Sequence, residues 1–190
     1  MIRQRAPVAA ALVLFAIASG CSPSPTEEKA AAPAAGPVER PIRTALPMSR
    51  ECGDISLPQL KGLVSDPADL IAEADELEIE QTLRQYQANT GHEAVAVMLP
   101  TLNGKDDGLV ARCLGDAWSI GDKHRNDGVM LLLVPSEERV RVAMGLGFGS
   151  VEDSNRKAQD VINEMMPALS RGDMAGGMKA GARSLSHVLP

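Results

Sequence analysis

From Leu70 onward the chain alternates between two kinds of apolar pattern. Leu70, Ala74 and Leu77, then Ile79, Leu83 and Tyr86, fall at helical spacing, while Glu73, Asp75, Glu76, Glu78 and Glu80 take the other positions. This predicts a long amphipathic helix with a solvated acidic face. Asp66-Pro67 ends a short extended entry before it, because proline pushes the preceding residue out of helical geometry, and Gly91 ends the helix. Ala94–Leu99 and Val129–Val134 are unbroken apolar runs of strand length, with a helix between them carried by Leu109, Val110, Cys113, Leu114, Ala117 and Trp118. Pro135-Ser136-Glu137-Glu138 turns the chain into an alternating strand, Arg139–Met144. Two more helices follow. The first buries Val151, Ala158, Val161, Ile162 and Met165, and the second runs from about Met174 to Val188 beyond Pro167 and Gly172. Strands apolar on both sides need helices over both faces. The expected fold is therefore a three-layer α/β/α sandwich with a central sheet, mostly parallel or mixed.

The first 58 residues lack this patterning. Arg3 and Arg5 precede an apolar stretch from Val8 to Ile17, too short to span a bilayer, and then Ala18, Ser19 and Gly20. Residues 1–20 read as a signal peptide. Ala18-Ser19-Gly20-Cys21 resembles the lipobox of bacterial lipoproteins, which implies fatty acylation of Cys21 and anchoring to the cell envelope, on the periplasmic side of the outer membrane. Several acyl chains on one residue hold firmly, since each buried methylene contributes about 0.8 kcal/mol. Residues 21–58 are rich in Pro, Ala, Glu and Ser and read as a tether, leaving 59–190 as one domain.

Charge narrows the partners. Removing Arg3 and Arg5 from the 19 basic side chains leaves 17 against 25 acidic ones, a formal charge of −8. That balance disfavours nucleic acid and favours cations. With Cys21 acylated, Cys52 and Cys113 are the remaining thiols in a compartment that permits disulfides. They form either a bridge from the end of the tether to the second predicted helix or two free thiols.

Six segments in order resemble the TPM domain family, whose members include a plant thylakoid acid phosphatase implicated in photosystem II repair. They are Val64-Ser65-Asp66-Pro67-Ala68, Thr90-Gly91-His92-Glu93-Ala94-Val95-Ala96-Val97 and Leu102-Asn103-Gly104, then Trp118-Ser119-Ile120-Gly121, Asn126-Asp127-Gly128-Val129-Met130-Leu131-Leu132-Leu133, and Arg141-Val142-Ala143-Met144-Gly145-Leu146-Gly147. The resemblance implies the α/β/α fold and, in some members, calcium binding or phosphatase activity. The glutamate that commonly follows the glycine pair is replaced by Phe148-Gly149-Ser150.

Asp66, Asp127 and Asp153 all lie in connections, where loops converging at one sheet edge would offer a hard cation carboxylates and carbonyls. These three are the metal candidates for calcium or another divalent cation, with Asn126 and Asp122 as helpers. Caps and turns are the competing role for each. Gly145, Gly147 and Gly149 either let backbone N–H groups approach a phosphate or simply make a turn. His92, His124 and His187 lack ligand spacing and read as surface residues. The resulting expectation is a membrane-anchored module that binds a cation and an envelope protein. The alternative is a metal-assisted phosphatase in which Lys123 or Arg125 offsets transition-state charge.

Overall fold

The unbroken apolar runs form the centre of a six-stranded sheet. In the computed structural model, which describes residues 42–43, 52 and 57–189, the order across the sheet is β1 (Ile42–Arg43), β2 (Leu60–Lys61), β3 (Val64–Ser65), β4 (Ala94–Met98), β5 (Val129–Val134) and β6 (Arg139–Met144). β3, β4 and β5 are parallel, and the other neighbours pair antiparallel, so the sheet is mixed. Every residue of β4 and β5 is buried, as two covered faces require.

Four helices supply the covers: α1 (Glu73–Thr90), α2 (Asp107–Trp118), α3 (Val151–Leu169) and α4 (Met174–Val188). α4 packs against both α1 and α3, and at Gly181 its backbone comes close to Leu131 and Met165. Leu131 pairs with Val142, so α4 lies on the face to which both point. Arg141 points to the other face, where Gly108 and Asp107 of α2 meet it. The crossovers through α1 and α2 step the same way across the sheet but lie on opposite faces. They are therefore of opposite hand, and one departs from the usual right-handed rule.

Three local features differ from the sequence reading. The first helix begins at Glu73, because Asp66–Ala72 forms a turn instead, with Asp66 accepting the Ile71 N–H at 2.9 Å. Ile42 and Arg43, inside the stretch assigned to the tether, pair with Lys61 and Leu60. Two residues are too few to show a strand period. Glu80, assigned to the solvated acidic face, is buried and hydrogen-bonded by Arg84 Nε at 3.0 Å. Gly62 makes room for it: its φ is +65°, and a Cβ there would lie 2.4 Å from Glu80 Oε1. Elsewhere on the acidic face, Lys179 of α4 bridges Asp75, at 2.7 Å, and Glu78.

Cys52 and Cys113 are joined by a disulfide with their Cα atoms 5.8 Å apart. Both are buried, and the bridge ties the chain ahead of β2 to α2. In the chain-entropy model, closing a loop of this length contributes roughly 4 kcal/mol.

Candidate functional site

Asp127 sits two residues ahead of β5 and is 1% exposed. Both of its oxygens are engaged. Oδ1 accepts the Asp122 N–H at 2.8 Å, and Oδ2 accepts from Arg125 Nε at 2.6 Å and contacts His92 Nδ1 at 2.8 Å. Arg125 also donates through Nη2 to the carbonyl of Gly91, at the end of α1, at 3.0 Å. Burial alone would raise the Asp127 pKa. The Asp122 N–H, His92 and Arg125 outweigh burial and hold the carboxyl well below its ordinary range.

Around this carboxylate the loop is drawn tight. Asp122 Oδ1 accepts the N–H groups of His124 and Arg125 at 2.8 and 3.0 Å, and these bonds lower its pKa. Asn126 adopts φ +50°, and its carbonyl accepts the Gly147 N–H at 2.8 Å. Gly145 and Gly147 are glycine because the loop presses on them: added Cβ atoms would lie 2.0 Å from Asn126 O and 2.1 Å from Arg125 O. The glycine run thus accommodates the protein's own backbone. His92, half-buried, stacks edge-on against Phe148, with ring centroids 4.9 Å apart. Tyr86 lies beyond it, and burial, with the Asp127 charge nearby, pushes its phenol up to about 12.

Asp153 caps α3. Its N–H donates to Ser150 Oγ at 3.1 Å, Ser150 Oγ donates back to Oδ2 at 2.8 Å, and Arg156 donates to Oδ1 at 2.6 Å. The Ser150 bond, then Arg156, lowers its pKa. This is a reciprocal helix cap.

Asp66 lies elsewhere. Ser65 pairs with Val97 and Val97 with Leu132, so Asp66 is level with Leu133, six residues along the strand direction from Asp127. At 3.3 Å per residue the two carboxylates stand about 20 Å apart, at opposite ends of the sheet. The expected convergence of the loops carrying Asp66 and Asp127 is corrected by this geometry. One follows a parallel strand and the other precedes one, and that signal was readable in the chain. Asp66 Oδ2 is spent on Ile71, while Oδ1 is buried with no hydrogen-bond partner. Among the described residues, no group of three or more His, Cys, Asp and Glu side chains is arranged to hold a metal ion.

His92 is the residue that sequence reasoning misplaced. Its spacing places it on the surface with His124 and His187, yet of these three it alone contacts a buried carboxylate. Its position just before β4, level with the residues before β5, was the available signal. Cys21 lies outside the described residues. No helix among the described residues is long and apolar enough to cross a membrane.

None of the curated proteins compared with the chain matches it significantly. Solved structures do. The N-terminal domain of a protein from P. gingivalis, determined in solution by NMR, is 27% identical with a TM-score of 0.57, covering 67% of this chain and 81% of that one. The N-terminal domain of a Corynebacterium glutamicum protein is 21% identical with a TM-score of 0.55, covering 66% and 78%. A protein from the psychrophilic bacterium Bizionia argentinensis is 14% identical with a TM-score of 0.54, covering 65% and 84%. These likenesses establish the α/β fold. Residues 64–188 match the TPM domain, and with well over half its length matched, the chain belongs to the TPM domain family.

Proposed function

We propose that this chain is an exported lipoprotein, anchored through Cys21 on the periplasmic side of the outer membrane, whose TPM domain binds a divalent cation and serves as an interaction module in the cell envelope. The cation site is the Asp66 end of the sheet, and calcium suits its oxygen donors. The observation that carries this reading is Asp66 Oδ1, a buried carboxylate oxygen with no donor. An uncompensated buried acceptor costs about 1–3 kcal/mol, and a cation would relieve it. Asp69 lies in the same turn, and the loop after β4, which carries Asn103 and Asp106, leaves the sheet at the same end. Asp127, Asp153 and Asn126 are taken up by the loop and cap described above.

The test is a residue-resolved calcium titration. Asp66→Ala should weaken affinity at least tenfold, about 1.4 kcal/mol. Unchanged affinity in that variant, or no binding at millimolar calcium, would sink the site. Labelling cells with a fatty-acid analogue should mark the wild type and not Cys21→Ala, and equal labelling would remove the anchor.

A second reading, phosphomonoester hydrolysis, draws on the His92–Asp127 pair with Arg125 beside it. A carboxylate that orients an imidazole is the arrangement a general base needs. Turnover of a generic phosphomonoester that is lost in His92→Gln would favour it. Turnover no greater than in that variant would leave the module reading alone.

A further inference from the structure

The sheet ends in β6, and its hydrogen bonds fix which way that strand's main chain points. Val129 N–H donates to Glu93 O and Leu133 O accepts from Leu99 N–H, so the odd-numbered residues of β5 face β4. The even-numbered ones face β6, as the bond from Gly145 N–H to Gly128 O shows. Val140, Val142 and Met144 pair with odd-numbered residues. Their N–H and C=O groups therefore point away from the sheet. Among the described residues no backbone hydrogen bond reaches these outward groups.

Beside this open row runs a groove of about 520 Å³. Met130 and Ala143 contribute its floor, Gly108 and Ala111 of α2 one wall, and Ser154 and Ala158 of α3 the other. Leu146 and Val151 line it too, at 70% and 66% exposure, and they are two of the three exposed large hydrophobics among the described residues. Arg141 enters over Gly108, where an added Cβ would come within 3.3 Å of its guanidinium. Its Nη2 donates to Asp107 at 2.9 Å, but its Nε is buried without a partner.

We infer that this edge and groove bind an extended segment of a partner protein as a seventh strand, with an apolar side chain in the groove and a carboxylate on Arg141. Each feature specifies one part of that ligand. A row of outward N–H and C=O groups is matched by another strand's main chain, the mode in which backbone bonds give affinity and side-chain pockets give selectivity. The orphaned Nε asks for an acidic side chain. A second copy of this chain fits poorly, because pairing β6 with itself brings Arg139 and Arg141 of both copies onto neighbouring positions, where like charges oppose each other. The inference rests on the interaction-module reading but not on the cation.

The experiment uses the full chain, isotopically labelled for NMR, and a short acetylated and amidated peptide with threonine at every second position and valine and aspartate by turns at the positions between, because Arg141 and the Met130–Ala143 floor lie on one face of the sheet. Peptide should slow amide exchange at Val140, Val142 and Met144 at least tenfold. The same peptide with lysine for aspartate should bind at least tenfold more weakly, and Arg141→Met should erase that preference. Val140→Pro removes an outward N–H, which an edge strand tolerates, at a residue that is only half-buried. It should weaken binding at least tenfold while the chain still folds. If that variant does not fold, Ala158→Trp, which fills the groove, should give the same loss. Binding should be equal in EDTA and in calcium, so a failed calcium titration leaves this proposal standing. No slowing of exchange at millimolar peptide, equal binding of both peptides, or self-association through β6 would overturn it.

Discussion

The two ends of the sheet each hold an aspartate in a connection, and the two carboxylates live differently. Asp127 has every oxygen occupied by donors from its own loop, from Arg125 and from His92. Asp66 has one oxygen spent on Ile71 and the other buried without a partner. The same residue type, in the same kind of segment, is a structural pin at one end and carries an unsatisfied oxygen at the other. The difference lies in the donors, two from the Asp127 loop itself and one from far away in the chain. His92 precedes Asp127 by 35 positions.

The contrast breaks most sharply on stability. Asp127→Ala leaves Asp122, Arg125 and His92 without their shared acceptor, and hydrogen bonds to a charged group are worth about 1.5–3 kcal/mol. A loss on the order of 3 kcal/mol is expected in urea unfolding, against less than about 1 kcal/mol for Asp66→Ala. Equal losses would erase the distinction. Gly62→Ala comes next, at about 2 kcal/mol, from its left-handed φ and the contact with Glu80. The calcium affinity of Asp127→Asn should stay within twofold of wild type in any fraction that remains folded, whereas Asp66→Ala loses tenfold. Ser150→Ala, the loss of the α3 N-cap, should cost about 1 kcal/mol.

Acid sharpens the comparison at smaller scale. The Asp127 pKa is lower folded than unfolded, so its contribution is fully present above the ordinary carboxylate value of 3.8 and fades as pH falls through the folded value. The stability gap between wild type and Asp127→Asn should therefore narrow from pH 5 towards pH 2. A gap independent of pH would mean that the carboxylate's charge is not what matters.

The chain announces its layers more clearly than its site. Val95, Val97, Leu131 and Leu132 sit in runs whose apolar character is continuous, so burial on both faces is legible without knowing a single neighbour. Gly91 as a helix end is equally local, and the structure gives it φ +77°. Glu80 could not be read this way, because what buries it is Gly62, a residue outside its own helix. His92 failed for the same reason. Its partner is set by the alignment of β4 and β5 rather than by spacing. The Asp66–Asp127 separation was within reach of the sequence, since strand direction alone decides which end of a parallel sheet a connection occupies.

The Cys52–Cys113 bridge also decides how the domain carries tension. A pull on the chain ahead of Cys52 passes through the disulfide into α2 at Cys113. Residues 53–112 are short-circuited, so the Asp66 turn, α1 and β4 bear no load along the backbone. From Cys113 the force runs on along the backbone through the rest of α2 and the Asp127 loop into β5, which pairs with β6, the edge inferred to hold a partner. An oxidised chain thus keeps roughly 200 Å of contour, at about 3.4 Å per residue, out of reach of stretching until the bridge is reduced.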